Sequence, residues 1–391
     1  MKNTKVNSKS INFLSKDNEE GLFLVRILHI LSCMDRAGTE TLLMNLYRNI
    51  NREKVQFDFA VTVTGKCDYE DEIEFLEGKI IRYPRYTGKN HFKYVKWWNT
   101  FFSLHPEYRI VHGHIGSTAA IYLKIAKKYG IYTIAHSHSA NPTINLKTLM
   151  YKIYSFPTRY IADYFMGCSM PALELRFGNK VAHNRTISVV LNNAIESDKY
   201  VYDEFVRKKI REELKLKSNE FVLGTVGRLV VEKNPFFILD VLEKLKKKKE
   251  EFKFIWVGKG ELQKKIEEGI KERHLEENII MLGGRTDVNE LLQAMDLFMF
   301  PSVFEGLGIA GIESQAAGLP TLCSDKIPEE IAITNLCQFI SIDNINMWMN
   351  AIQKAKNIKR TNRKKEILNA GFDINDVAVW LQKFYIRNYK N

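Results

Sequence analysis

The chain has 391 residues, 45% of them apolar and 27% charged, with a net charge of +12. That length is too great for one ordinary hydrophobic core and suits two domains, while the balance of apolar and charged residues excludes a disordered chain. No apolar run approaches the roughly 20 residues of a membrane-spanning helix, and Cys33, Cys67, Cys168, Cys323 and Cys337 form no C-x-x-C pair and no even set, which argues against a thiolate zinc site or a disulfide framework.

Residues 1–22 are polar, are expected to be a disordered tail, and lack the apolar stretch of a signal peptide, so a cytoplasmic location is the default. From Val25 onward, short β-rich runs alternate with longer amphipathic segments. The runs are VRILHIL (from Val25), VQFDFAVTV (from Val55), KIIRY (from Lys79), RIVHGH (from Arg109), IYTIAH (from Ile131) and DYFMGCS (from Asp163). Between the first two, TETLLMNLYRNI puts Leu42, Leu43, Leu46, Tyr47 and Ile50 on one helical face. This alternation predicts parallel strands with crossover helices. It pauses near Asn193 and restarts with FVLGTVGRL, FKFIWVGKG, NIIMLGGR, DLFMFPS and PTLCSD. The expectation is an N-terminal Rossmann-like domain over 23–195, a second over 196–372, and a closing helix over 373–391. In such doubly wound α/β folds ligands sit at the carboxyl ends of the strands, so residues just after each strand are the functional candidates and a cleft should lie between the halves.

The charge is uneven. Ile81 to Tyr160 holds twelve Lys or Arg against one acid, Glu107, and sixteen aromatic residues. An anionic membrane surface, nucleic acid or a phosphorylated ligand could each meet such a block, and the plainer alternative is that basic residues solvate helix backs over an aromatic core.

Two places carry chemistry. In the second half, VLGTVG is followed by Arg228 and, five residues on, Lys233; a planar fork of donors and a mobile point charge on one loop can converge on a diphosphate. Further on, FPSVFEGLGIAGIESQAAGLP reads as a buried strand, a Gly-rich turn and a helix with free N-terminal amides. Gly306 and Gly308 allow close approach of a phosphate to that helix start, and Glu305 and Glu313 can accept hydrogen bonds from hydroxyls. Phosphate donors beside hydroxyl acceptors suggest a ligand that is both phosphate and sugar.

The segments GRLVVEKNP, GKGEL and GGRTDVNELLQAMDLFMFPSVFEGLGIAGIESQAAGLPTLCSD, in that order, resemble the C-terminal domain of the family 4 glycosyltransferases, retaining enzymes of the GT-B fold, and among them bacterial capsule and exopolysaccharide enzymes. The family's E-x7-E signature falls on Glu305 and Glu313. The resemblance implies two Rossmann-like domains facing a cleft, with the C-terminal helix closing back on the N-terminal domain. It implies that Arg228 and Lys233 hold a donor diphosphate, that Glu313 holds ribose hydroxyls, that Glu305 touches the hexose, and that the amides of Gly306, Leu307, Gly308 and Ile309 meet phosphate and sugar. SCMDRAGTETLLMNL is similar to the family's Gly-rich loop, with Ala37 in place of its first glycine and Gly38 left as the donor-side candidate. His114, in RIVHGHIGS, matches the position beside the reacting carbon, and His136 and His138, in IAHSHSA, are acceptor-side candidates.

The expected activity is transfer of a hexose or N-acetylhexosamine from a nucleotide-diphosphate sugar, most simply UDP-linked, to a saccharide acceptor carried on lipid, in capsular or exopolysaccharide synthesis. Peripheral contact with the inner membrane face through 81–160 is expected, and nucleic acid is not. No cofactor and no metal are expected. His112, His114, His136 and His138 have H-x-H spacing that also suits a metal, but no carboxylate lies between Val111 and Tyr160 and the chain has no D-x-D. A nucleotide-sugar 2-epimerase of the same fold, and a membrane- or nucleic-acid-binding protein with a vestigial transferase site, are the alternatives.

Overall fold

The structure is a computed structural model and describes residues 24–138 and 146–389, with 146–149 described by backbone alone. The expected tail over 1–22 lies outside the described residues. Two parallel sheets organise the chain. The first contains β1 (Val25–Ile30), β2 (Val55–Val61), β3 (Ile80–Arg82), β4 (Ile110–Gly113), β5 (Tyr132–Ser137), β6 (Tyr164–Gly167) and β7 (Ser188–Val190), in the order β3-β2-β1-β4-β5-β6-β7. The second contains β8 (Val222–Val226), β9 (Lys253–Val257), β10 (Ile279–Gly283), β11 (Leu297–Phe300), β12 (Thr321–Ser324) and β13 (Cys337–Ile340), in the order β10-β9-β8-β11-β12-β13. Each order reverses once, between β1 and β4 and between β8 and β11, and a crevice opens at such a reversal because the flanking crossovers leave in opposite directions. Of these strands, β7 lies just before the pause near Asn193 and is not among the runs read from the sequence, nor is β13 (CQFI), of which only the last residue is fully buried.

Both faces of each sheet are covered, so the central strands are apolar without alternation. Every residue of β2 (VQFDFAV) is buried, Asp58 included. That carboxylate is satisfied on all sides: Arg26 donates to it at 2.7 and 2.6 Å, Tyr108 Oη at 2.8 Å and the Lys79 amide at 2.8 Å. A buried carboxylate without such partners would be strongly destabilising. Cys67, Cys168 and Cys323 are buried as expected of small hydrophobes, whereas Cys33 and Cys337 are only half-buried, and the Cys337 thiol reaches the Cys323 sulfur at 3.5 Å.

The chain passes from the first sheet to the second at Ile195 and returns at Asp373, and the two passages are bonded to one another: the Ile195 amide donates to Phe372 O and the Ile374 amide to Ile195 O, each at 2.9 Å. The return leads into the helix Ile374–Tyr389, which inserts Ile374, Ala378, Leu381 and Tyr385 into the core formed by β1, β2 and the helix Gly38–Asn49. The second layer of that domain, under the helix His91–Leu104, takes up much of the aromatic block: Tyr83, Tyr94, Trp98, Phe101, Phe102, Tyr108 and Tyr122 are core. The basic aromatic segment therefore divides, and Phe92, Tyr151, Tyr154, Phe156 and Tyr160 remain exposed.

The closing helix holds the N-terminal domain by apolar burial, and Leu381 is fully buried in it. Leu381→Ala should lower the unfolding free energy by about 2–5 kcal/mol; urea titration followed by circular dichroism measures it, and a loss below about 1 kcal/mol would mean that the helix is not integral to the core.

Candidate functional site

The loop after β8 and the turn after β11 meet at the reversal of the second sheet. Gly227 and Arg228 follow β8; Val231–Lys233 make a single 3-10 turn; Asn234 is left-handed, with φ 51°, and Pro235 opens the next helix. The Val303 amide donates to Glu232 O at 2.9 Å and ties this loop to the turn 301–308. Together they line one pocket with Thr225, Gly227, Arg228, Lys233, Phe300 and Ser302. Arg228 is exposed, and among the described residues its guanidinium makes no hydrogen bond or ion pair. Ser302 is 1% exposed and its Oγ has no partner among the described residues, a donor that the sequence did not single out. Lys233 Nζ lies 2.5 Å from Glu305 Oε1 and 5.0 Å from the centre of the Phe300 ring. The two groups assigned by resemblance to different parts of a ligand thus hold one another.

The turn ends at Gly308, whose φ of 86° and ψ of 56° place it in the left-handed region at the N-cap of the helix Ile309–Ala316. A Cβ there would sit 2.8 Å from Phe300 Cε1 and 3.1 Å from Ile331 Cδ1, so both the dihedral and the packing demand glycine. The cap makes no side-chain hydrogen bond; the Gly311 amide donates to Gly308 O at 2.9 Å, and the Ile309 and Ala310 amides have no partner among the described residues. On this helix Glu313 is half-buried and accepts from Tyr200 Oη at 2.6 Å. Burial pushes its carboxyl above the usual range, against the lowering effect of the Tyr200 hydroxyl. Tyr200 ends a single helical turn, Ser197–Tyr200, that follows the passage between the sheets, and no motif marks it.

The facing wall is histidine. His29, in β1, and His112, in β4, are register partners at the reversal of the first sheet, and both are fully buried. His114 follows β4 and its amide donates to Ile30 O at 3.0 Å; His136 lies in β5, one residue before its end, and His138 follows the strand. His29 Nδ1 lies 3.0 Å from His114 Nε2, and His114 Nδ1 lies 2.7 Å from His138 Nε2. His112 Nε2 lies 3.2 Å from His136 Nδ1, and His112 Nδ1 lies 2.6 Å from Tyr385 Oη of the closing helix. Burial depresses the basicity of every ring: His29 and His138 to about 3, the latter also through Arg176, and His112, His114 and His136 well below the usual value. Arg176 donates to the His136 carbonyl. His29 belongs to this set but stands alone in VRILHIL, and only strand register brings it beside His112.

The two walls come close at Gly306, where a built Cβ would lie 3.7 Å from His138 O. His114 and His138 are half-buried there, and His136 is 1% exposed behind them. Gly38 opens the helix Gly38–Asn49 after an extended Ala37 cap, and a Cβ on it would meet nothing within 4 Å, so no packing requires the glycine. Leu307 differs from its neighbours: at 4% exposure its side chain belongs to the core, and only its backbone could reach a ligand.

Residues 206–369 match the family described as "Glycosyl transferases group 1". Over 360 residues the chain is 28% identical to the putative glycosyltransferase EpsF of Bacillus subtilis, covering 89% of this chain and 93% of that one. It is 25% identical to the capsular polysaccharide biosynthesis glycosyltransferase CapH of Staphylococcus aureus (93% and 99% covered). It is also 25% identical to the UDP-Gal:alpha-D-GlcNAc-diphosphoundecaprenol alpha-1,3-galactosyltransferase of Escherichia coli (68% and 72% covered). Among solved structures, Anabaena Alr3699/HepE in complex with UDP superposes with a TM-score of 0.72 at 16% identity, covering 93% of this chain and 100% of that one; the likeness establishes the GT-B fold.

Gly308→Ala should cost about 1–3 kcal/mol through the forced left-handed dihedral and the Phe300 contact. Thermal unfolding monitors it, and an unchanged midpoint would show that the turn relaxes without strain.

Proposed function

From the glycosyl transferases group 1 domain that this glycosyltransferase carries at 206–369, we propose that the chain is a retaining enzyme that transfers a hexose or N-acetylhexosamine from a UDP-sugar to a lipid-linked saccharide, in capsular or exopolysaccharide synthesis. The observation that carries this reading is the convergence of Arg228, Lys233 and Ser302 on one pocket, beside the turn that leads into the helix Ile309–Ala316. Cations, a hydroxyl donor and a helix N-terminus together suit a diphosphate. Glu313 accepts from Tyr200 through one oxygen, and the other, which has no hydrogen-bond partner among the described residues, would take ribose hydroxyls.

Cleaving the bond from the anomeric carbon to the diphosphate oxygen leaves positive charge on the sugar and negative charge on the leaving group. Arg228, Lys233 and the amides of Gly306 to Ile309 offset the latter. The acceptor oxygen then bonds to the anomeric carbon on the same face, and its proton passes to the departing phosphate, so no protein nucleophile is required. A diphosphate on Lys233 would compete with Glu305 for the ammonium and free the carboxylate for hexose hydroxyls. His114 and His138, neutral at the facing wall, are placed to position the sugar and the acceptor. No cofactor is invoked, and neutralisation of the diphosphate by Arg228 and Lys233 removes the need for a metal there.

The acceptor side of the reading draws on the diphosphoundecaprenol substrate that names the Escherichia coli relative. It also draws on the exposed Tyr151, Tyr154, Phe156 and Tyr160 beside Lys152 and Arg159, since aromatic rings and basic side chains suit the headgroup region of an anionic bilayer. Among the described residues no helix is long and apolar enough to cross a membrane. This surface fits a peripheral contact.

Calorimetric titration of UDP, GDP and ADP into wild type and Lys233→Ala tests the donor assignment. UDP should bind in EDTA as well as without it, and Lys233→Ala should weaken it at least about tenfold, as loss of a charge-assisted contact implies; failure of all three nucleotides to bind would sink the reading. For the membrane contact, sedimentation with phosphatidylglycerol-containing vesicles should exceed that with phosphatidylcholine alone, and a Phe156→Ser/Tyr160→Ser variant should lose most of the difference. Equal binding to both vesicle types would remove the anionic surface from the proposal.

A further inference from the structure

The histidine wall carries a second possibility, which shares His114 with the proposed sugar site but lies outside the pocket of Arg228 and Lys233. His29, His112 and His114 lie side by side at the reversal of the first sheet: His29 and His112 are register partners on adjoining strands, and His114 is two residues beyond His112 on the same side. One ring nitrogen from each lies within 4.8 Å of the others. The His29–His114 separation of 3.0 Å is close to the edge of about 3.3 Å that nitrogen ligands span around a tetrahedral cation bonded at about 2.0–2.1 Å.

We propose that His29, His112 and His114 form a site for one divalent transition-metal cation of the zinc class. The donor set selects that class, since an all-imidazole site suits zinc, cobalt, nickel or copper, while magnesium and calcium require oxygen ligands. The surroundings supply what metal-bound imidazoles need: a ligating histidine is oriented by donating its other N–H. With His112 bound through Nε2, its Nδ1–H donates to Tyr385 Oη at 2.6 Å; with His114 bound through Nε2, its Nδ1–H donates to His138 Nε2 at 2.7 Å. The alternative triad, His114, His136 and His138, has similar spacing, but Arg176 stands against His136 and opposes a second positive charge there. His29 and His112 are closed off, and half-buried His114 gives the entry from the cleft. Because Tyr385 lies on the returning C-terminal helix, a bound cation would fasten that helix to β4 from inside the core.

The test uses the full-length chain without a purification tag, stripped with EDTA and titrated with Co2+. Expected is one equivalent bound with the visible d–d bands of a tetrahedral site, displaced by Zn2+, and a rise in thermal midpoint with Zn2+. His29→Ala should remove the bands, and Tyr385→Phe, which keeps the ring in place, should weaken Co2+ about tenfold or more. UDP affinity should be the same with and without the cation, so the outcome is separate from that of the donor site. Absence of a saturable cobalt spectrum in the wild type overturns the site, and so does equal binding by wild type and His29→Ala, which would assign the metal to surface histidines. If His29→Ala does not fold, Tyr385→Phe decides, since unchanged Co2+ affinity in it also overturns the site.

Discussion

Parallel strand pairing is the constraint on which everything else in this protein rests. Strands that all run the same way must be joined by crossovers, and those crossovers cover both faces of the sheet. All carboxyl ends then arrive at one edge. Where the strand order reverses, the two neighbouring loops leave in opposite directions and a crevice remains between them. Both sheets reverse once, at β1/β4 and at β8/β11. His29, His112 and His114 stand at the first reversal; Arg228, Lys233 and the turn 301–308 stand at the second.

The two walls of the cleft are electrostatically different. The wall built on the second sheet is charged and partly solvated: Arg228 is exposed, and Lys233 and Glu305 balance one another. Such a pair holds its side chains in position without committing either, because a competing anion can take the ammonium and leave the carboxylate in a half-open site. The facing wall is uncharged, built from imidazoles whose burial disfavours their charged forms. A sugar between them would meet hydroxyl acceptors and phosphate donors on one side and uncharged ring edges on the other. That division suits chemistry in which negative charge develops on one partner alone.

The passages at Ile195 and Asp373 bear on how the walls are kept in register. They exchange backbone hydrogen bonds with each other, and the second continues directly into the helix that buries Leu381 and Tyr385 in the first domain. Tyr385 in turn touches His112. The C-terminal end of the chain is therefore connected through one side chain to the histidine wall, although 273 positions separate the pair in sequence.

Much of this was legible from the sequence. The α/β alternation, the closing helix, Arg228, Lys233, Glu305, Glu313 and the glycine turn are local patterns, and local patterns survive in a linear reading because strand, loop and helix signals depend on residues a few positions apart. Less was legible where long-range contact decides the outcome. β7 and β13 are short and half-covered, so their hydrophobic pattern is weak. The aromatic block near residues 81–160 carries one composition but serves two purposes, and only packing separates core Trp98 and Tyr122 from exposed Phe92 and Tyr160. His29, Tyr200, Ser302 and Tyr385 carry no motif. Their roles come from strand register, from the 2.6 Å contact of Tyr200 with Glu313, and from the return of the last helix. The sequence alone determined which chemical groups follow each strand. The tertiary structure decided which of them meet, because pairing between distant strands sets partners that no spacing along the chain encodes.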